Sequence, residues 1–434
     1  MANKRIYLCL AHMSENGMEQ KYIQEAFDTN WVVPLGPNVN GFEKDLEEFI
    51  DCPKHIVALS SGTAAIHLGL LACGVGPGDE VIVQSFTFCA STHPITYLCA
   101  TPVLVDSEPD TWNIDSQLME EAIKDRIAKT GKKPKAIVPV YLYGMPAKID
   151  EIMEIAQRYD IPVLEDAAEG MGSRYDGQVC GTFGQYGVLS FNGNKMITTS
   201  GGGALICPDM EAKNKIMWYA TQAREAYPYY QHEAIGYNYR MSNICAGIGR
   251  GQMTVLDDHI KHHRHVAELY KKAFAEVEGI TFHDEMPGME SNFWLSTIIL
   301  DEHLHVKGEA HAYDEAVIGA VGGAAGVVHA GGGIHTDCEP NRNVEAMRKV
   351  LDAEGIEARP LWKPMHKQPV YLRGEVREER IDNYICVTSD SSVSYVNGVS
   401  ESLFKKGLCL PSGPYVSDED VQRIVSVILN AIQR

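Results

Sequence analysis

The feature that most constrains this chain is an alternation that begins at residue 55. Short apolar runs rich in β-branched residues take turns there with amphipathic or small-residue segments of helical period. His55–Ser60, Glu80–Gln84, Thr101–Asp106, Lys135–Leu142, Ile161–Glu165 and Gly187–Phe191 read as strands. Between them, Ala64–Cys73, Ser91–Leu98, Asp115–Ile127 and Asp150–Tyr159 read as helices, the third opened by an aspartate cap. Strands that are apolar on both faces and separated by helices predict a mostly parallel sheet covered on both sides, the α/β class. At 434 residues the chain exceeds the roughly 250–300 residues at which single cores stop growing. Two domains are therefore expected: a large α/β domain over 1–255 and a smaller α+β domain over 256–434. The second would contain the helical stretch to Phe274, a strand at Trp294–Leu300 and helices at Asn343–Glu354 and Ser417–Gln433. A Gly/Ala/His-rich insertion falls around 301–343, densest in glycine at 319–333, and has no P-loop lysine.

Charge and cysteine usage remove several function classes. A formal net charge of −20 argues against a nucleic-acid backbone as partner, because that attraction needs clustered Lys and Arg. No run approaches the ~18 apolar residues of a membrane span, and the apolar stretch at Ile6–Ala11 is shorter than a signal-peptide core. Eleven scattered cysteines without a Cys-x-x-Cys pair fit reduced thiols, hence a cytoplasmic protein, better than a disulfide framework or zinc site. His259, His262, His263 and His265 lack acidic ligands at matching spacing, so no metal is expected and a solvated helix face is the reading. No strand runs into Gly-x-Gly-x-x-Gly, which disfavours a nicotinamide-binding fold.

Three features then fall at strand ends, where parallel sheets bind ligands. Ser60-Ser61-Gly62-Thr63 closes one strand and opens a helix, a place where exposed amides hold an anion or where an ordinary cap sits. Asp166 ends another strand and serves equally as a helix cap or as a partner for a protonated ring nitrogen. Lys195 follows a third strand and precedes Gly201-Gly202-Gly203, which permit close approach of backbone or a flat ligand. A lysine amine so placed can capture a carbonyl compound as a Schiff base, pyridoxal phosphate above all, although by itself it also reads as a solvated loop lysine. None of the three is specific alone. Together they occur in the order of one domain that binds pyridoxal phosphate.

The runs SSGTAAIHLGLLACGVGPGDEVIVQSFTF, EDAAEGMGSRYDG, GTFGQYGVLSFNGNKMITTSGGG and GYNYRMSNICAGIGRGQM resemble the DegT/StrS-type sugar aminotransferases. The resemblance spans about 23–300 and resumes at GIEARPLWKPMHKQPVY and GLCLPSG. It is nearest to the 4-aminotransferases of UDP-N-acetylbacillosamine biosynthesis, through SFNGNK, Glu169, TQARE and RPLWKPMH. It implies a fold-type I transferase with a seven-stranded sheet and pyridoxal phosphate as cofactor. It further implies that Lys195 binds the cofactor covalently and that Asp166 holds the pyridine nitrogen. Phe88 would stack on the ring and Glu169 would lie near it. Gly62, Thr63 and Ser190 would bind the phosphate, and Asn238 would reach the phosphate of the neighbouring subunit in a homodimer with shared sites. Arg240 and the run Arg359–His366 are weaker candidates for substrate contacts. The implied reaction moves an amino group from L-glutamate to C4 of a UDP-linked keto-sugar for surface glycan assembly. Related dehydratases place histidine where this chain has Lys195, which favours transamination. The alternatives are transfer at C3 of a dTDP-3-keto-sugar and a catalytically silent ligand sensor on the same scaffold.

Overall fold

A computed structural model describes residues 4–308 and 338–433. Its large sheet is built from seven strands: β1 (His55–Leu59), β2 (Glu80–Gln84), β3 (Thr101–Val105), β4 (Ala136–Val138), β5 (Leu164–Asp166), β6 (Tyr186–Ser190) and β7 (Gly203–Cys207). Their order is β1-β7-β6-β5-β4-β2-β3, with β4 and β5 joined through the parallel bridges Ile137–Val163 and Val140–Asp166. β7 is antiparallel to both neighbours, while β5 runs parallel to β6, and β2 to β3 and β4. Reversing β7 leaves β1 pointing the same way as the other five. The carboxyl ends of six strands therefore share one edge of the sheet, and the expected α/β class holds.

β7 is absent from the strands that the hydrophobic pattern identifies. Its five residues, GALIC, are all buried and emerge straight from the glycine run. An apolar run this short carries no period that separates strand from helix. Elsewhere the expected helices appear at Gly62–Ala72, Ser116–Thr130 and Ile149–Tyr159, while the Ser91–Leu98 segment divides into the short turns Cys89–Ser91 and His93–Tyr97. The Asp115 cap is present, its carboxylate accepting from the amides of Gln117 and Leu118.

A second apolar core lies in the C-terminal half. The strands Ile280–Phe282, Ser296–Leu300, Gly407–Leu410 and Arg359–Pro360 form one sheet. The helices Leu256–Phe274, Arg342–Ala353 and Asp418–Ala431 bury Val266, Tyr270, Met347, Leu351, Ile424 and Ile428 in its core. Residues 377–396 return to the large sheet, where Val393–Val396 pairs parallel with β3 and a hairpin extends it.

The histidine helix corrects one expectation. His259 and His263 face inward and are buried, so they do not form a solvated face. Each Nδ1–H meets a carbonyl at 3.1 Å: Met196 O for His259 and Phe293 O for His263. Burial pushes the His263 imidazole down to about 3, so it stays neutral. No cluster of three or more potential metal ligands occurs among the described residues. The glycine-dense run 319–333 lies outside the described residues.

Candidate active site

Each element places its side chain for a local reason. The helix Gly62–Ala72 starts where β1 ends, with Ser61 as N-cap accepting from the Ala64 amide at 3.0 Å. Space there is minimal. A Cβ on Gly203 would lie 2.4 Å from the Gly62 amide nitrogen, and one on Gly62 would lie 3.0 Å from Ser190 Cβ. The turn after β1, the start of β7 and the end of β6 thus close into a cradle of small residues around a helix N-terminus. Gly62 and Ser190 meet in it, Thr63 follows in the first turn of the helix, and amides and hydroxyls at such a place suit an oxyanion such as a phosphate.

Asp166 ends β5 on the same edge and is 4% exposed. Ser91 Oγ donates to its Oδ2 at 2.6 Å and the Ala168 amide to its Oδ1 at 3.1 Å. Burial raises its affinity for a proton, and the Lys195 charge acts against that rise. Two donors leave part of its acceptor capacity open.

Lys195 sits in the loop after β6, and its Nζ lies 3.0 Å from Glu169 Oε1. The other Glu169 oxygen accepts the Tyr143 amide at 2.7 Å. Burial lifts the Glu169 carboxyl to about 7, against the opposing pull of Lys195. A carboxyl lifted to about 7 and in contact with an amine can hold and move a proton at that contact.

The structure thus brings Gly62, Thr63, Ser190, Asp166, Glu169 and Lys195 to one edge. Phe88 belongs to the loop after β2. Its ring is 55% exposed and lies 5.5 Å from that of Trp362. Within the run expected to touch substrate, His366 Nδ1 is 2.7 Å from Ser85 Oγ and holds the Phe88 loop, while Arg359 pairs with Glu357 at 2.7 Å. Arg240 bridges Leu59 beside the cradle, and its buried Nε has no partner among the described residues. Asn238 is exposed on the surface and bridges Thr221 instead of joining the group.

Sequence reasoning missed Ser91, Tyr143 and Trp294, and named Trp362 only within the run Arg359–His366. Tyr143 has φ of 56°, and its hydroxyl accepts the Trp362 amide at 2.9 Å. The three missed residues reach the site from other strands and loops, so no local spacing marks them.

Comparison with known proteins extends over nearly the whole chain. The model of the DegT/DnrJ/EryC1/StrS aminotransferase family matches residues 14–320. EpsN of Bacillus subtilis, named as a candidate pyridoxal phosphate-dependent aminotransferase, is 42% identical over 99% of this chain and 96% of its own length. The GDP-perosamine synthase of Caulobacter vibrioides is 33% identical over 95% of each chain. The crystal structure of a DegT DnrJ EryC1 StrS aminotransferase from Brucella abortus superposes with a TM-score of 0.78 at 27% identity. It covers 96% of this chain and 95% of that one.

Proposed function

This chain belongs to the DegT/DnrJ/EryC1/StrS aminotransferase family and is a pyridoxal phosphate-dependent sugar aminotransferase; from that premise we propose that it moves an amino group from L-glutamate to C4 of a UDP-linked 4-keto-6-deoxy-N-acetylhexosamine. The product would be a UDP-linked 4-amino sugar for surface glycan or glycoprotein assembly. One observation carries the assignment of residues: an amine, a carboxyl lifted to about 7 and a second buried carboxylate meet beside an anion cradle at one sheet edge.

The residues fit the cofactor group by group. The cradle of Gly62, Thr63 and Ser190 would hold the phosphate. The open acceptor capacity of Asp166 would take the protonated ring nitrogen, Phe88 would cover one ring face, and the Lys195 amine would meet the aldehyde. Pyridoxal phosphate supplies, when bound, an aldehyde that captures amines and a ring that accepts the electron pair left when a C–H proton departs.

The chain's own groups do the rest. Lys195 Nζ, once free, is a base positioned to take a proton from one carbon and return it to another. Glu169 aims that amine through its 3.0 Å contact and takes up its excess proton, and the Tyr143 amide fixes the carboxyl in turn. The Ser91 hydroxyl and the Ala168 amide favour the anionic form of Asp166 against its burial, and that carboxylate would stabilise positive charge on a ring nitrogen. Asn238 would act across a homodimer, as its exposure allows, by reaching the neighbouring subunit's phosphate.

A GDP-linked sugar is the second reading, favoured by the 33% identity to a GDP-perosamine synthase over nearly the full chain. Purified protein should be assayed with L-glutamate against UDP-, GDP- and dTDP-linked 4-keto and 3-keto sugars. The proposal expects 4-amino product from the UDP-linked N-acetyl sugar with the highest kcat/KM. Preference for a GDP-linked sugar or for a dTDP-3-keto-sugar contradicts it. Cofactor absorbance that glutamate leaves unchanged would point to a silent sensor.

A further inference from the structure

Lys195 is held more tightly than its contact with Glu169 requires, and by parts of the chain far apart in sequence. The carbonyl of Asn194, in the peptide from which Lys195 departs, accepts two donors. Trp294 Nε1–H reaches it at 2.6 Å and the Cys9 thiol at 3.2 Å. Burial pushes the Cys9 thiol up to about 12, so it remains a protonated donor. On the far side, the Met196 carbonyl accepts from His259 Nδ1 at 3.1 Å. The peptide before the lysine and the one after Met196 are therefore pinned from three directions.

Trp294 adds a contact that the others lack. Lys195 Nζ lies 4.0 Å from the centroid of its indole ring, while the Lys195 side chain is 13% exposed. A π face at that distance attracts an ammonium group and becomes more effective as water is excluded. The tryptophan is itself fixed. Its amide donates to Asn292 Oδ1 at 2.8 Å, and Asn292 Nδ2 donates to the carbonyls of Glu169 at 2.7 Å and Met171 at 2.9 Å. One asparagine thus ties the ring under Lys195 to the backbone that carries Glu169.

We propose that Trp294 is a positioning residue for the reaction: its N–H fixes the Asn194 peptide and its ring face holds the Lys195 amine in register with Glu169. The inference rests on the reading of Lys195 as the reactive amine. Trp294 touches neither substrate nor cofactor in this account and acts only through the lysine. The strand that follows it, Ser296–Leu300, belongs to the smaller sheet.

The test uses full-length Trp294→Leu and Trp294→Phe beside the wild type. Lys195 reactivity is read by peptide mass after brief reductive methylation of cofactor-stripped protein, with exposed Lys44 as internal reference. Steady-state kcat and KM are measured on the holoenzymes. Losing ring and N–H together should raise the Lys195/Lys44 labelling ratio about 5-fold and lower kcat about 10-fold, with KM for the sugar changed less than 2-fold. Trp294→Phe keeps an aromatic face and should fall between wild type and Leu on both measures. It also keeps the test open if the Leu variant does not fold. A fall in kcat with an unchanged labelling ratio would mark Trp294 as structural packing and overturn the proposal, as would a raised ratio with unchanged kcat. Failure of the functional reading looks different: borohydride treatment of wild-type holoenzyme would leave Lys195 unlabelled whatever residue stands at 294.

Discussion

Two carboxylates stand side by side on β5, and they have opposite surroundings. Glu165 and Asp166 are both buried, and both are pushed toward the neutral form by that burial. Alternation along a strand sends them to opposite faces. Glu165 accepts from the Tyr141 hydroxyl and from the amides of Gly181 and Gly184, with the Lys54 charge adding to the attraction. Its donors come from inside the fold and nearly fill its capacity. Asp166 has two donors and faces the edge that carries Lys195 and Glu169. The difference teaches how to tell a carboxylate that builds the fold from one that serves a ligand: burial is shared, whereas completeness of the hydrogen-bonding shell is not.

The largest expected effect is on the open side. Lys195→Ala should lower sugar-amine formation about 1,000-fold or more, since it removes nucleophile and base together; product chromatography at near wild-type turnover would break the comparison at its root. The next test sets the neighbours against each other. Asp166→Asn should cost about 100-fold in kcat while the denaturation midpoint moves little. Glu165→Gln should do the reverse, destabilising by about 2–3 kcal/mol through its buried donors while kcat of the folded protein stays within about 3-fold. If urea titration and kinetics return the opposite pairing, the distinction drawn on β5 is wrong.

Glu169 sharpens the same contrast by pH. Its folded-state pKa, about 7, stands above the ordinary glutamate value of 4.5. The native state therefore holds a proton that the unfolded chain releases, so stability from this group is complete below about 4.5 and is lost as pH rises through 7. In cofactor-stripped protein, Glu169→Gln should flatten the fall in stability between pH 4.5 and 7 by up to about 3 kcal/mol. Denaturant melts at several pH values would show it, and an unaltered slope would assign the proton elsewhere. The smallest effect is expected furthest from β5: Asn238→Ala should weaken cofactor retention about 5- to 10-fold in the gel-filtered protein. Unchanged affinity would count against a site shared between subunits.

Much of the open side was legible in the sequence. Asp166 and Ser190 end apolar strands, Gly62 and Lys195 follow a few residues after one, and the ends of parallel strands meet by construction. The cradle also shows why the glycine run matters, since β7 leaves Gly203 against the Gly62 amide. What escaped was everything brought in by long-range contact. Trp294 and Cys9 converge on Asn194 from segments far apart in the sequence, and His259 meets the Met196 carbonyl from a helix whose periodicity looked solvated. A pattern of polar residues at helical spacing says which residues share a face, not whether another element covers it. Glu165 was legible only as the last residue of the strand Ile161–Glu165, because its three donors lie in two other segments.

The account depends on a single amine meeting the cofactor. Borohydride reduction of the holoenzyme followed by peptide mapping tests it most directly. A pyridoxyl label on the peptide bearing Lys195, absent from the Lys195→Ala variant, is the predicted result. A label on any other lysine, or none, would contradict the account.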